Sequence, residues 1–171
     1  MATVVHLTTV RRTPVGPLLL AATRSGLVRI HLGDDERGVR GDLERQFHAV
    51  DLRRGSPLTT EAARVLRAYL DGGPDPVHVP HVLPEDGFAP RVWSALKRIP
   101  RGQVRTYGAV ARALRRHGAA RAVGQACGRN PLPLIVPCHR VVAADRRLGG
   151  FTGGLDIKRR LLELEGAPAP R

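Results

Sequence analysis

The run Leu134-Ile135-Val136-Pro137-Cys138-His139-Arg140-Val141-Val142 sets a cysteine and a histidine side by side between two apolar stretches. The thiolate is the reactive form of cysteine, and an adjacent imidazole is one way to generate it. Residues 134–136 read as a strand that ends at Pro137 and presents Cys138 at its tip. A nucleophilic thiol is therefore the first chemistry this chain offers.

Charge says where that thiol would act. Residues 1–90 hold 11 arginines and 11 carboxylates, and so are neutral overall. Residues 91–171 hold 17 Arg plus Lys against Asp145, Asp156, Glu163 and Glu165, a net of +13. Heavy use of arginine explains 26 Arg among 28 basic residues, but not the asymmetry between halves. A field of one sign on the half that carries the thiol attracts a polyanion, chiefly through phosphate contacts and counterion release. Nucleic acid is the expected partner.

Length and composition bound the rest. A chain of 171 residues suits one ordinary domain or two small ones. No apolar run approaches the length of a membrane span. Residues 1–6 lack the charged start and long apolar region of a secretory signal, so a cytoplasmic location is expected. Two cysteines, Cys127 and Cys138, do not make a disulfide framework, and a reducing compartment would keep Cys138 a free thiol.

The chain divides into two parts with different periodicity. Short apolar stretches at residues 4–10, 18–22 and 27–32 alternate with turn signals at Gly16-Pro17 and Ser25-Gly26, which predicts a small antiparallel sheet. Residues 34–48 are polar, with Leu43 and Phe47 at helical spacing. Residues 60–70 repeat apolar groups at Ala63, Leu66 and Leu70, with Thr59 or Thr60 as N-cap. Gly72 to Pro76 ends that helix, and residues 77–83 read as one more strand. Pro84-Glu85-Asp86-Gly87 reads as a linker.

The second part reads as mainly helical. Phe88, Val92, Trp93, Leu96 and Ile99 follow a 3.6-residue period over residues 88–99. Thr106 caps a helix from Tyr107 to about Arg115, with Val110, Ala111 and Leu114 on one face. His117-Gly118 is a turn, and residues 119–128 form a second helix rich in alanine and glycine. Two short helices about a glycine turn match the helix-turn-helix pattern. Ala119, Ala120, Ala122, Gly124 and Ala126 leave little bulk between that helix and whatever it packs on.

Arg121-Ala122-Val123-Gly124 and Asn130-Pro131-Leu132-Pro133-Leu134-Ile135-Val136-Pro137-Cys138-His139-Arg140-Val141 strongly resemble the O6-alkylguanine-DNA alkyltransferases, the methylated-DNA–protein-cysteine methyltransferases. Pro-Cys-His-Arg is that family's active-site signature. Val92-Trp93, Ile99-Pro100-Arg101-Gly102 and Thr106-Tyr107 upstream match in order and spacing, as do Gly153-Gly154-Leu155, Lys158, Leu161-Leu162 and Glu165-Gly166 downstream. The likeness is specific over residues 88–166. Over residues 1–87 it rests on Pro14-Val15-Gly16-Pro17-Leu18 and the strand-then-helix order.

The resemblance implies an α+β protein: a small N-terminal antiparallel-sheet domain, ribonuclease-H-like, over residues 1–84. A mainly helical DNA-binding domain with the helix-turn-helix would span residues 85–166, followed by a disordered Pro/Ala-rich tail at 167–171. It implies a monomer that binds double-stranded DNA, rotates an O6-alkylguanine, or less well an O4-alkylthymine, out of the stack, and moves the alkyl group irreversibly onto Cys138. A thiol cannot reach that carbon inside paired bases. The reaction is stoichiometric and needs no cofactor.

Further roles follow from the resemblance residue by residue. His139 takes the proton of Cys138 through a bridging water, and Glu165, 27 residues beyond Cys138, accepts a hydrogen bond from the other ring nitrogen. Asn130 holds the turn before the active segment. The Tyr107 hydroxyl approaches the base and donates toward the departing guanine. Val141, Phe151 and Thr152 belong to the base pocket, in a glycine-rich loop at residues 149–154. Arg121 fills the gap left by the flipped base, and Ala120, Ala122 and Gly124 allow the second helix to approach the minor groove.

Some positions depart from the family pattern. Cys127 is either part of the pocket floor or a buried inert thiol. Gln125 stands where a small residue is usual, and Ala89 where glutamine is common. Some members hold a structural zinc through N-terminal cysteines and histidines. This chain has no cysteine before residue 127, so no metal site is expected, and His78-Val79-Pro80-His81 is a weak signal. The rival reading is a non-catalytic alkyltransferase-like damage sensor, which carries another residue, often Trp, in place of Cys138. A DNA-binding regulator would need a cysteine-rich metal domain that this sequence lacks.

Overall fold

Apolar pairs two residues apart along three short segments build the first sheet. The structure, a computed structural model, describes residues 1–145 and 147–168. It forms two compact units, Met1–Leu83 and Pro84–Arg171. Of the expected tail at 167–171, residues 169–171 lie outside the described residues.

In the first unit, β1 (Thr3–Val10), β2 (Leu18–Thr23) and β3 (Gly26–Leu32) pair antiparallel in sequence order. Helix α1 (Glu36–Phe47) then leads to β4 (Val50–Arg54), which pairs parallel to β1, giving the order β3-β2-β1-β4. The sheet is therefore antiparallel except for β4, a strand the sequence pattern did not predict. Five residues with only Val50 and Leu52 apolar carry little strand signal, and β4 is made by the crossover through α1 that returns it beside β1.

Strand β2 is buried almost throughout because both faces of the sheet are covered. Val5, Leu7, Leu19, Ala21 and Val28 meet Val39 and Leu43 of α1 on one face. Helix α2 (Pro57–Leu70) packs on β1 and β2. The Thr8 hydroxyl donates to Thr59 Oγ1 at 2.8 Å. Thr8 points opposite to Val5 and Leu7, which places α2 on the other face. The cap of α2 is Ser56, not Thr59 or Thr60. Ser56 Oγ accepts from Thr59 N–H at 3.2 Å, and Thr59 Oγ1 accepts from Ser56 N–H at 2.9 Å, a reciprocal capping box with Pro57 in the first turn. The expected strand over residues 77–83 is not formed. It contributes one bridge, Leu27 to His81, because Pro76, Pro80 and Pro84 interrupt any ladder.

The second unit is helical around two very short strands. Its elements are α3 (Phe88–Leu96), β5 (Arg105–Thr106), α4 (Tyr107–Ala113), α5 (Ala120–Gly128), a 3-10 turn (Cys138–Arg140), β6 (Val141–Val142) and α6 (Leu155–Leu164). Helix α3 stops three residues before Ile99, and residues 97–100 continue as tight turns. Thr106 caps α4, its Oγ1 accepting from Ala109 N–H at 3.1 Å. The Trp93 indole N–H donates to Ala126 O at 2.9 Å and ties α3 to α5. Residues 134–136 are not a strand. Pro131, Pro133 and Pro137 remove the donors a ladder needs, and buried Leu134 sits at φ +78, bending the chain into the 3-10 turn. Parallel pairing of Arg105–Thr106 with Val141–Val142 sets the start of α4 beside the end of that turn.

Gly26 offers a test of the first unit. A Cβ there would lie 2.7 Å from His81 N and 2.8 Å from Pro80 C, at a φ of +148. These are backbone atoms that cannot swing away. Gly26→Ala is expected to lower unfolding free energy by about 2 kcal/mol or more, read by urea denaturation.

Candidate active site

Cys138 opens the 3-10 turn and is 6% exposed. The tight turn before it is held by Asn130, whose side chain does three jobs. Its Oδ1 accepts from Leu132 N–H at 3.0 Å, and its Nδ2 donates to Val136 O at 2.8 Å and to Cys138 Sγ at 3.1 Å. Burial pushes the Cys138 thiol above the usual range, while the Asn130 hydrogen bond and the nearby Lys158 charge pull it back.

Behind the thiol lies a dry charged triad. His139 is fully buried, and its Nε2 lies 2.9 Å from Glu165 Oε1. Glu165 follows α6 directly, and its side chain is 1% exposed. Arg140 is buried on the same carboxylate, its Nε donating to Oε2 at 3.0 Å and its Nη2 to Oε1 at 2.7 Å. Arg140 Nη1 donates to Ile99 O at 2.6 Å, and Arg101 donates to Leu164 O at 2.9 Å, so the chain after α3 braces the end of α6. Burial is the main effect on His139 and lowers its pKa, against the pull of Glu165. A neutral ring facing an acceptor-only carboxylate must carry its hydrogen on Nε2. Glu165 thereby assigns Nδ1 as the basic nitrogen.

In front of the thiol is a cavity of about 740 Å³. Tyr107, Cys127, Cys138, Phe151 and Thr152 line it, together with Ala120, Arg121 and Gly124 from α5. Of the residues expected at the pocket or its DNA face, Val141 and Ala122 are not on its wall. Val141 is fully buried, and its carbonyl faces Lys158. The Tyr107 hydroxyl lies 3.4 Å from Gly150 O, and burial pushes its pKa up to about 12, so the phenol keeps its proton. Cys127 is raised to about 12, mainly by burial and then by Cys138, which leaves it an un-ionised wall group. Thr152 spends its hydroxyl on Gly128 O at 3.2 Å across the cavity rim. Gly149 has φ +69, and a Cβ there would meet the Tyr107 hydroxyl at 2.8 Å and its ring at 2.9 Å, so only glycine lets the side chain lie where it does.

Arg105, Arg112, Arg115, Arg116, Arg121 and Arg129 are exposed along β5, α4, α5 and their ends. None forms an ion pair among the described residues. No group of three or more potential metal ligands occurs among the described residues.

Two residues at this site were not singled out from the sequence. Arg140 sits inside the Pro-Cys-His-Arg signature, but an arginine in a basic half reads as surface charge. Lys158 lies on α6, where a lysine normally reads as solvated. Its burial became visible only with the loop at 148–150 folded over it. Gln125 and Gly128 also line the cavity, as does Gly150 of the loop expected at the pocket.

Two outcomes test the triad. Glu165→Gln would strip Arg140 of its buried counter-charge and cost about 3–5 kcal/mol in a denaturant titration. His139 has a folded pKa below its unfolded value of about 6.5, so the unfolded chain binds the extra proton. Its contribution to stability is present above that pH and is lost as pH falls below it. Denaturation midpoints should drop on acidification below about pH 6.5, with proton uptake on unfolding, and a flat profile would contradict a buried neutral ring.

A family model described as 6-O-methylguanine DNA methyltransferase, DNA binding domain, matches residues 87–167. The chain is 39% identical over 155 residues to the methylated-DNA–protein-cysteine methyltransferase of Methanosarcina acetivorans, covering 91% of this chain and 95% of that protein. The Mycobacterium tuberculosis protein of the same name is 39% identical over 161 residues, covering 92% and 91%. The crystal structure of Mycobacterium tuberculosis O6-methylguanine methyltransferase aligns with a TM-score of 0.78 at 39% identity, covering 96% of each chain. That of Mycobacterium tuberculosis OGT in complex with DNA aligns with a TM-score of 0.76 at 38% identity, covering 98% of this chain and 96% of that one. Likeness of this extent, carried through Pro137-Cys138-His139-Arg140, means that the chain belongs to the methylated-DNA–protein-cysteine methyltransferase family.

Proposed function

We propose that this protein repairs DNA by moving the alkyl group of O6-alkylguanine onto its own Cys138, once per molecule. The observation that carries this reading is a buried thiol opening on a cavity, backed by the His139–Glu165 pair. A purine turned out of the stack would enter the cavity and set its O6 substituent against Sγ. His139 Nδ1 takes the thiol proton across a bridging water, and Glu165 stabilises the imidazolium. The thiolate attacks the alkyl carbon in line. The S–C bond forms as the C–O bond breaks, and the electron pair leaves on guanine. Tyr107, still protonated, donates to the departing base and is restored by the proton that the thiol gave up.

The DNA side follows from charge and shape. Helices α4 and α5 act as a helix-turn-helix, with α5 presented to the duplex. The exposed arginines on β5, α4 and α5 supply phosphate contacts, while Ala120, Ala122 and Gly124 permit close approach. Arg121 lies at the cavity rim, where it would replace the extruded base. The protein would work as a monomer in the cytoplasm, and O4-alkylthymine would be a slower substrate. The sheet order of the first unit, with a parallel fourth strand beside three antiparallel ones, supports a ribonuclease-H-like label for it. The sensor reading is disfavoured because a thiol occupies position 138.

The test is intact and peptide mass after mixing the protein with a duplex containing one O6-methylguanine. One methylene mass is expected on the peptide holding Cys138 and none in Cys138→Ser. Tight binding without a mass change would make the protein a sensor.

A further inference from the structure

This chain uses arginine for 26 of its 28 basic residues and keeps lysine only at positions 97 and 158. Lys158 is fully buried. Its Nζ donates to three carbonyl oxygens, Val141 O at 2.6 Å, Gly150 O at 3.1 Å and Leu148 O. An ammonium carries three donors on one atom and can satisfy three convergent carbonyls, which the flat fork of a guanidinium cannot. The cradle explains why this position departs from the chain's own habit.

The cradle satisfies the donors of Lys158 but not its charge. No carboxylate pairs with it among the described residues. Burial accordingly lowers its pKa to about 8, and the nearby thiols Cys138 and Cys127 pull the other way. Burying an uncompensated cation is costly and calls for a reason.

The surroundings of Cys138 supply one. His139 is kept neutral by burial and gives its Nε2–H to Glu165. Arg140 is neutralised by the same carboxylate. Tyr107 and Cys127 stay protonated, and would add negative charge if ionised. Among the described residues Lys158 is thus the buried cation at this site without an anion of its own, since Arg121 is exposed at the cavity rim. Two of the carbonyls it holds belong to residues next to the site. Val141 follows the turn that Cys138 begins, and Gly150 lines the cavity and faces the Tyr107 hydroxyl.

We propose that Lys158 is a positioning residue for the alkyl transfer: its ammonium is the standing counter-charge that favours the thiolate of Cys138, delivered from a carbonyl cradle that also holds the pocket wall. This rests on Cys138 being the nucleophile. The proton still leaves the thiol for His139, and Lys158 changes only how readily it goes.

The test compares wild type, Lys158→Met and Lys158→Gln without DNA. The rate of Cys138 alkylation by iodoacetamide is followed against pH by peptide mass, and near-ultraviolet circular dichroism of Trp93 confirms the native fold. Glutamine keeps donors for the carbonyls but no charge. Both variants are expected to show the thiol midpoint raised by about one unit or more, and labelling at neutral pH slowed about tenfold. A Lys158→Gln protein that labels with the wild-type midpoint would overturn the proposal and leave Lys158 a structural clamp. If Lys158→Met does not fold, Lys158→Gln alone decides. Methyl transfer by wild type from O6-methylguanine DNA is measured separately. Its failure would overturn the repair reading whatever the titration of the thiol shows.

Discussion

One carboxylate is shared by an imidazole and a guanidinium in the dry interior of the second unit, and the rest of the site is arranged around it. Glu165 faces His139 and Arg140, and all three side chains are almost wholly shielded from water. Three such groups are expensive to bury, and the expense is offset only when every donor and acceptor is placed. That requirement fixes several distant pieces of chain together. The end of α6 must bring Glu165 to the turn at 138–140, and the chain after α3 must bring Ile99 O to Arg140. Gly102, at φ +77, must pass close to the Glu165 backbone, where a Cβ would lie 3.0 Å from its carbonyl oxygen.

The reacting face follows from the same constraint. With Glu165 taking Nε2 of the imidazole, Nδ1 is left as the basic nitrogen of the ring that follows Cys138 in the chain. The two-residue ladder of β5 and β6 then sets Tyr107 beside the turn, and Gly149 leaves room for its ring against the loop. Electrostatics separates the groups by task. Burial keeps the phenol and the Cys127 thiol protonated, whereas Cys138 alone receives both an amide donor and an unneutralised ammonium. A reactive cysteine and an inert one can therefore line one cavity.

Much of the second unit was legible as residue patterns. The apolar period through Phe88, Val92, Trp93 and Leu96 and the cap at Thr106 are local signals, and local signals survive folding. The N-terminal helices were legible for the same reason, although the Ser56 cap lay upstream of the expected threonines. The failures were non-local. Strand β4 exists because α1 returns the chain beside β1, and its own five residues say little. Residues 77–83 and 134–136 have strand-like composition, but Pro80 within the first and Pro133 and Pro137 on either side of the second interrupt a ladder. The meeting of Asn130, Cys138, His139 and Glu165 was suggested by family likeness alone, since nothing local ties Glu165 to a residue 27 positions earlier. Arg140 and Lys158 carry charges that sequence places on the surface by default, and only the fold shows what they hold.

Glu165 holds the ring of His139 by Nε2 and burial keeps it neutral, so Nδ1 is its basic nitrogen. The most direct measurement is nitrogen-15 NMR of the His139 ring in the resting protein near neutral pH. A neutral ring with its hydrogen on Nε2 is expected. A hydrogen on Nδ1, or a resting imidazolium, would contradict it.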